Sequence, residues 1–516
     1  MHLIKRLPAG RARLLLTGAL LAWLLAGCAG NARSGGDDGR KLSPSAQATL
    51  QLEQSVGFVD DPKLQAYVEE VGRRIAAQGK RHDVDFRFYI LDMPVPNALA
   101  LPEGQVFVSR GVLILVNSED ELAGILAHEI AHVEEHHSDQ RQGLNVVTSP
   151  IRIGTGIAGW ATGLIIPDLG DAITELGEST TGLVLAPYSR EQEREADLAG
   201  QSLVAAAGYQ PEGLVSLLET MSRAEKLDPE NTHEQSFFDT HPATAERVAL
   251  TREHGKTLVP APRPASARDR KGLLEALHGL VIGEDPAKGF FVDNWFVHPG
   301  LAFAMGFPRE WTGINTDGFV GAQLPNEDTF VMLALVAEGT DPIAGARAAS
   351  KKLKTDVVSE ATRGSINGLP AARTRTQITD ANGVVEKLEL TWIAYGGLVY
   401  QIMGVAAQAR FDAVEELMTQ SANSFRPLSD EERSQIKVAQ LETAEAGQGE
   451  SFAALAERVK SPWSAEAIAV VNGKPVDAKL AAGELIKVGI LERYAWKPRH
   501  PPAVPVDQPA VSRRSP

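Results

Sequence analysis

Ile125-Leu126-Ala127-His128-Glu129-Ile130-Ala131-His132-Val133 is the stretch that decides how the chain is read. Two histidines four residues apart on a helix stand one above the other on one face, so both imidazoles reach a single metal ion. Glu129 adjoins them, placed to hold a water. The flanks predict the helix: Ser118 and Glu121 have capping-box spacing, and Leu122, Ile125 and Leu126 recur at helical period. The pattern is the His-Glu-x-x-His zinc signature, with the histidines as ligands and the glutamate as general base.

A catalytic zinc takes three protein ligands and keeps one position open. A third histidine on the metzincin plan fails here, because Glu135 stands at the glycine position and Ser138 at the histidine position. His136, one turn beyond His132, is within reach. The macrodipole at a helix C-terminus accounts equally for both His136 and His137. The better candidate lies in Tyr188-Ser189-Arg190-Glu191-Gln192-Glu193-Arg194-Glu195-Ala196-Asp197. The apolar stripe of that predicted helix is Ala196, Gly200, Leu203 and Ala207, ending at Gly208 as a C-cap. Glu193 projects closest to the stripe, Glu191 and Glu195 point further away, and Asp197 follows one turn on. Like charges at i and i+4 repel unless a cation lies between them. A zinc bound by Glu193, with Asp197 accepting a ring N–H from a ligand histidine, removes the conflict. An exposed helix with Arg190 and Arg194 as partners satisfies the same run, and spacing alone leaves both readings open.

These residues, with Asn97-Ala98-Leu99-Ala100-Leu101-Pro102-x-Gly104 and Thr240-His241-Pro242, resemble the zinc metallopeptidases that include HtpX, BepA and the CAAX prenyl endopeptidases. The resemblance covers residues 45–255. It implies a gluzincin-type core that binds one zinc per chain through His128, His132 and Glu193, with Glu129 as base and Asp197 behind a ligand histidine. In the resembling periplasmic proteases a histidine at the His241 motif reaches the zinc and fills the fourth position. Pro242 restricts His241 to an extended conformation. Three roles stay open for it: closing the resting site, fixing the loop, or stabilising the oxyanion of the reaction. The chain lacks the several transmembrane helices of HtpX and the prenyl proteases, which places it nearer the soluble periplasmic branch.

Outside this region the sequence bounds the answer further. A chain of 516 residues with 43% hydrophobic content reads as two to four globular domains. Its net charge of -15, with no evident basic surface for phosphates, argues against nucleic acid as a partner. Residues 1–27 read as a lipoprotein signal peptide: Lys5, Arg6, Arg11 and Arg13 precede a short apolar run at 14–26. Leu25-Ala26-Gly27-Cys28 looks like a lipobox, with Cys28, the only cysteine, as the lipidated residue. Ala29 is not the aspartate of inner-membrane retention, which favours the outer membrane. Residues 28–44 form a tether and 45–258 the metallopeptidase domain. Two short strands precede the metal helix, one over 85–91 and one over 105–109. An edge strand in that place adds an extended peptide by backbone hydrogen bonds, whereas a core hairpin does not. Residues 145–187, rich in glycine, read as a lid or packed connector.

Residues 259–271 read as a linker, and 272–430 as an α+β accessory domain. Its strand-like runs are 303–311, 329–336, 388–394 and 399–405, and its helical runs 347–353 and 411–425. Its aromatics Phe290, Phe291, Trp295, Phe296 and Trp311, with His298, read as core or partner surface. Residues 437–490 resemble a divergent LysM module, whose relatives bind peptidoglycan sugars; a small helical cap without ligand fits equally. Residues 491–516 read as a disordered proline-rich tail. The fold class is thus α+β and multidomain: a mainly helical gluzincin-type core with a small sheet, then an α+β domain and a small LysM-like module. The expected protein is a periplasm-facing zinc endopeptidase, anchored to the membrane at Cys28, acting on misfolded or unassembled envelope proteins. The competing reading is a chaperone-like or cell-wall-binding lipoprotein with a structural metal site.

Overall fold

The computed structural model describes residues 43–137, 187–227, 236–242, 245–316, 318–325, 327, 329–353, 356–379 and 385–495, and a ladder between Val147–Thr148 and Leu183–Val184. The leader with Cys28, nearly all of the tether, most of 145–187 and residues 496–516 of the proline-rich tail lie outside the described residues, while 491–493 belong to a strand. No described helix is long and apolar enough to cross a membrane.

The first helices, α1 (Pro44–Ser55) and α2 (Pro62–Ala76), both start on a capped proline turn; Asp61 accepts from the Lys63 and Leu64 amides. Helix α2 buries Leu64, Val68, Val71 and Ile75 in the core below a three-stranded sheet. The sheet holds β1 (Arg87–Leu91), β2 (Ala98–Ala100) and β3 (Gln105–Ser109) in the order β1-β3-β2, with β3 parallel to β1 and antiparallel to β2. Residues 105–109 therefore form the central strand and not an edge. The physical reason is burial on both faces: Val106, Phe107, Val108 and Ser109 are all enclosed, and both backbone edges are paired. The edge strand packed toward the next long helix is the three-residue Ala98–Ala100.

A short helix, α3 (Arg110–Leu115), leads to α4 (Glu119–Glu134), the helix of the histidine pair. Ser118 accepts from the Glu121 amide as its spacing predicts, but the Glu121 carboxylate turns to the Asn117 amide and the Ser216 hydroxyl. Almost every residue of α4 is buried, which marks a helix packed on all sides. Two helices cross it closely. In α5 (Arg190–Ala206), a Cβ on Gly200 would lie 3.1 Å from the His128 nitrogen; in α4, a Cβ on Gly124 would lie 2.6 Å from the nitrogen of Leu214, in α6 (Glu212–Glu225). Glycine at these crossings lets the backbones touch, and the α5 crossing brings residues 193–197 beside His128. After α6 come the one-turn α7 (Phe237–Thr240) and then α8 (Ala245–Gly255).

The segment 259–271 is bonded along the helical core built around α4. The Ala261 amide donates to Ala205, Arg263 pairs with Asp120, and the Arg268 amide donates to buried Glu119. Beyond it, a seven-stranded antiparallel sheet runs from Thr312–Asn315 at one edge to Thr362–Ile366 at the other. Helix Ile343–Leu353 packs on the face carrying Phe330, Met332 and Trp392, and helix Gln408–Ser424 on the face carrying Val331, Leu333 and Ile402. Phe296 is core, while Trp295 lies at the surface under the Arg426 guanidinium.

The C-terminal unit pairs Lys437–Glu445 with Leu485–Arg493 antiparallel and sets helices Phe452–Val459 and Ala465–Val471 between them in sequence. It is docked directly on the helical core around α4. The fully buried Lys487 amine donates to the Ile114 and Val116 carbonyls at 2.6 and 2.8 Å, just ahead of α4. Arg270 bridges the Asn117 carbonyl and the Asn472 side chain alongside.

Candidate metal centre

His128, Glu129 and His132 project from the middle of α4, and all three are completely buried. Helix α5 starts on a full capping box between Ser189 and Gln192, which fixes the turn carrying Glu193. Of the three glutamates there, only Glu193 is buried; Asp197 is buried one turn on. His241 follows α7, its ring stacked flat on Phe237 at 4.3 Å, and its loop is held by a Tyr188 amide bond to Thr240.

These elements bring four donor atoms together: those of His128, His132, Glu193 and His241 all lie within 4.8 Å of one another. His128 Nε2 is 3.1 Å from His132 Nε2 and 3.2 Å from His241 Nδ1. Glu193 Oε1 is 2.9 Å from His241 Nδ1 and 3.4 Å from His132 Nε2, and Oε2 is 3.7 Å from His128 Nε2. A tetrahedral zinc with bonds near 2.0–2.1 Å requires donor–donor edges of about 3.3 Å. The spacing and the three-nitrogen, one-carboxylate chemistry fit that ion. Both oxygens of Glu129 are buried without a hydrogen bond among the described residues, and His241 Nε2 lies 3.6 Å away. A buried carboxylate left with its acceptors unused fits a group that handles a water or substrate proton.

The surroundings hold the donors in place. His128 Nδ1 approaches Asp197 Oδ1 to 3.0 Å. Arg247 of α8 donates twice to Asp197, at 2.6 and 2.8 Å, and its remaining nitrogen pairs with Glu193 Oε2. Thr251 adds a hydroxyl to Asp197. Burial opposes the charge on Glu193, but the neighbouring histidines outweigh it and hold its carboxyl well below the usual carboxylate range. Burial likewise works against Asp197, and the Arg247 bonds overcome it, so this carboxyl too is lowered. For His132 burial dominates and pushes the imidazole well below its ordinary value, which favours the neutral ring a metal needs.

The structure brings His128, Glu129, His132, Glu193, Asp197 and His241 together in one buried cluster and leaves His136 outside it. Arg247, between Glu193 and Asp197, was missed: it supplies the cation that two carboxylates at i and i+4 demand, from a helix whose sequence carries no motif. Tyr188, stacked on His132 at 3.7 Å, was also missed. His136 and His137 part company. His136 is exposed against Arg81, whereas His137 is buried and turns back to His132. Glu195, expected to point away, reaches His137 at 3.0 Å.

A helix-borne histidine pair, closed by a carboxylate from a second helix and flanked by a buried glutamate whose oxygens make no hydrogen bond among the described residues, is an arrangement that can hold a zinc ion. Residues 62–254 match the model of peptidase family M48. The chain is 32% identical over 187 residues to the mitochondrial metalloendopeptidase OMA1 of Schizosaccharomyces pombe, covering 36% of this chain and 52% of that protein. It is 23% identical over 225 residues to the beta-barrel assembly-enhancing protease of Escherichia coli, covering 43% of this chain and 45% of that protein. To the metalloprotease YcaL of Escherichia coli it is 33% identical over 159 residues, covering 30% of this chain and 57% of that protein. The chain spans about half the length of the curated relatives it matches.

Proposed function

We propose that the chain is a zinc endopeptidase of the bacterial cell envelope, with His128, His132 and Glu193 as ligands and Glu129 as general base. The observation that carries this reading is the four-donor cluster beside a buried carboxylate with unused acceptors. Zinc, when bound, supplies Lewis acidity toward a peptide carbonyl and makes water nucleophilic near neutral pH. Glu129 accepts the proton that the attacking water releases and returns it to the amine nitrogen as the peptide bond breaks. Asp197 and Arg247 hold His128 and Glu193 in position. Unfolded or unassembled envelope proteins are the substrate class in this reading, and one relative is named for β-barrel assembly. The signal peptide with Cys28 supports a lipid-anchored location at the outer membrane. The strand-helix-helix-strand order of 437–493 supports the LysM resemblance and a contact with peptidoglycan.

His241 favours a second reading of the same centre. Its Nδ1 sits at the fourth corner, so the donor set is complete without a water, as in a structural site. In our reading this is the resting state, and loop movement opens it. His241→Ala is therefore expected to raise cleavage of an unfolded outer-membrane protein several-fold over wild type, in a time course followed by gel electrophoresis. A chelator should abolish the gain. Absence of zinc-dependent cleavage from both proteins would favour the structural site and the non-enzymatic, chaperone-like reading. A fall in cleavage with zinc retained would assign His241 to catalysis.

A further inference from the structure

Helix α4 ends in an unusual way. Glu135 caps it, and His136 takes the left-handed conformation at φ 59°, a place glycine ordinarily fills. That turn reverses the chain and carries the next residue, His137, back beneath the helix. There its ring is buried, with Nδ1 3.1 Å from Nδ1 of His132 and Nε2 3.0 Å from Oε2 of Glu195. Glu195 lies on α5, two residues beyond Glu193, and half its side chain is open to a surface hollow of about 460 Å³.

We propose that Glu195, acting through His137, sets the tautomer of His132 and thereby its readiness to take a metal. The inference rests on the reading of His132 as a ligand. Its logic is one of donors and acceptors. A carboxylate only accepts, so His137 Nε2 must carry a proton to bond Glu195. A neutral imidazole protonated at Nε2 offers a lone pair at Nδ1, and this accepts from Nδ1–H of His132. His132 then carries its proton at Nδ1, and its Nε2, the atom facing His128 and Glu193, is the one left with a lone pair. The reverse direction would put a proton on Nε2 and close that nitrogen to a metal. His132 is also gripped face-on by Tyr188, so the hydrogen bond controls its proton more than its position. On the Nδ1 side His128 meets a carboxylate directly, in Asp197, whereas His132 meets His137 there, with Glu195 beyond it. Glu195 and His137 are thus positioning residues.

Glu195→Gln tests this with little risk to folding, because the residue is at the surface. Glutamine can donate as well as accept, so it lets the relay run either way. On the full chain, zinc affinity measured by competition with a chelator is expected to fall about tenfold in Glu195→Gln and up to about 100-fold in His137→Ala. Glu191→Gln, in the same hollow without a contact to His137, should match wild type. A second readout is independent of affinity: ¹⁵N shifts of histidine-labelled protein should show His137 as the Nε2–H tautomer alone in wild type and as a mixture of the Nε2–H and Nδ1–H tautomers in Glu195→Gln. Affinities within twofold of wild type in both variants, with the His137 shifts unchanged, would overturn the relay. If wild type itself takes up no zinc, the reading of the centre fails instead, and the shifts of His137 still decide the relay.

Discussion

Glu129→Gln retains its zinc and loses hydrolysis by about 10³-fold, the scale set by removing a general base. The substitution is isosteric, and neither carboxylate oxygen makes a hydrogen bond among the described residues, so no packed partner is lost. What disappears is the ability to take a proton. The amide cannot accept one from the attacking water, and nothing remains to deliver one to the leaving amine. The ligand set of His128, His132, Glu193 and His241 is untouched, so metal content by mass spectrometry should equal that of wild type. The cleavage comparison is best made in a His241→Ala background, where the baseline rate is expected to be higher. Unchanged cleavage would remove Glu129 from the chemistry, and loss of the metal would mean that it is a ligand instead.

The second large effect is expected at Arg247. Its guanidinium is the countercharge for two carboxylates that are both essentially sealed from solvent, Glu193 and Asp197. Removing one partner from a buried ionic network strands the others, at a cost of about 3–5 kcal/mol. Arg247→Ala should therefore lower the free energy of opening of Arg190–Ala206 by that amount, read from backbone hydrogen exchange on metal-free protein. Arg247→Lys should recover only part, since a single ammonium cannot reproduce the two-pronged bond to Asp197. A loss below about 1 kcal/mol would show that water or a rearranged side chain compensates the carboxylates, contrary to this account.

The parts of the site that a local pattern encodes were legible in the sequence. Helical period places His128 and His132 together, the Ser189 cap and apolar stripe orient the acidic helix, and burial then separates Glu193 from Glu191 and Glu195. In the accessory region both helices and the strands at 330–338, 385–395 and 398–407 were legible for the same reason, whereas Thr312–Asn315, Phe319–Gln323, Thr362–Ile366 and Leu369–Thr379 were not read from the sequence. What escaped depends on contacts between distant segments. Arg247 meets Asp197 across 50 positions, and Lys487 meets Val116 across 371. Neither contact leaves a trace in its own neighbourhood. Residues 105–109 were equally compatible with an edge or a centre, because pairing on the second side comes from a strand whose register the sequence does not display. His137 was hidden by a left-handed turn at His136, which no glycine announces.

The account rests first on a metal held by two helices, and titration of zinc into the metal-free chain tests that claim most directly. Isothermal titration calorimetry should show one zinc per wild-type chain. Glu193→Gln should bind at least about 100-fold more weakly, because an amide replaces the anionic ligand. Glu191→Gln, exposed on the same helix, should bind as wild type does. No stoichiometric uptake by wild type, or equal affinity in Glu193→Gln, would contradict it.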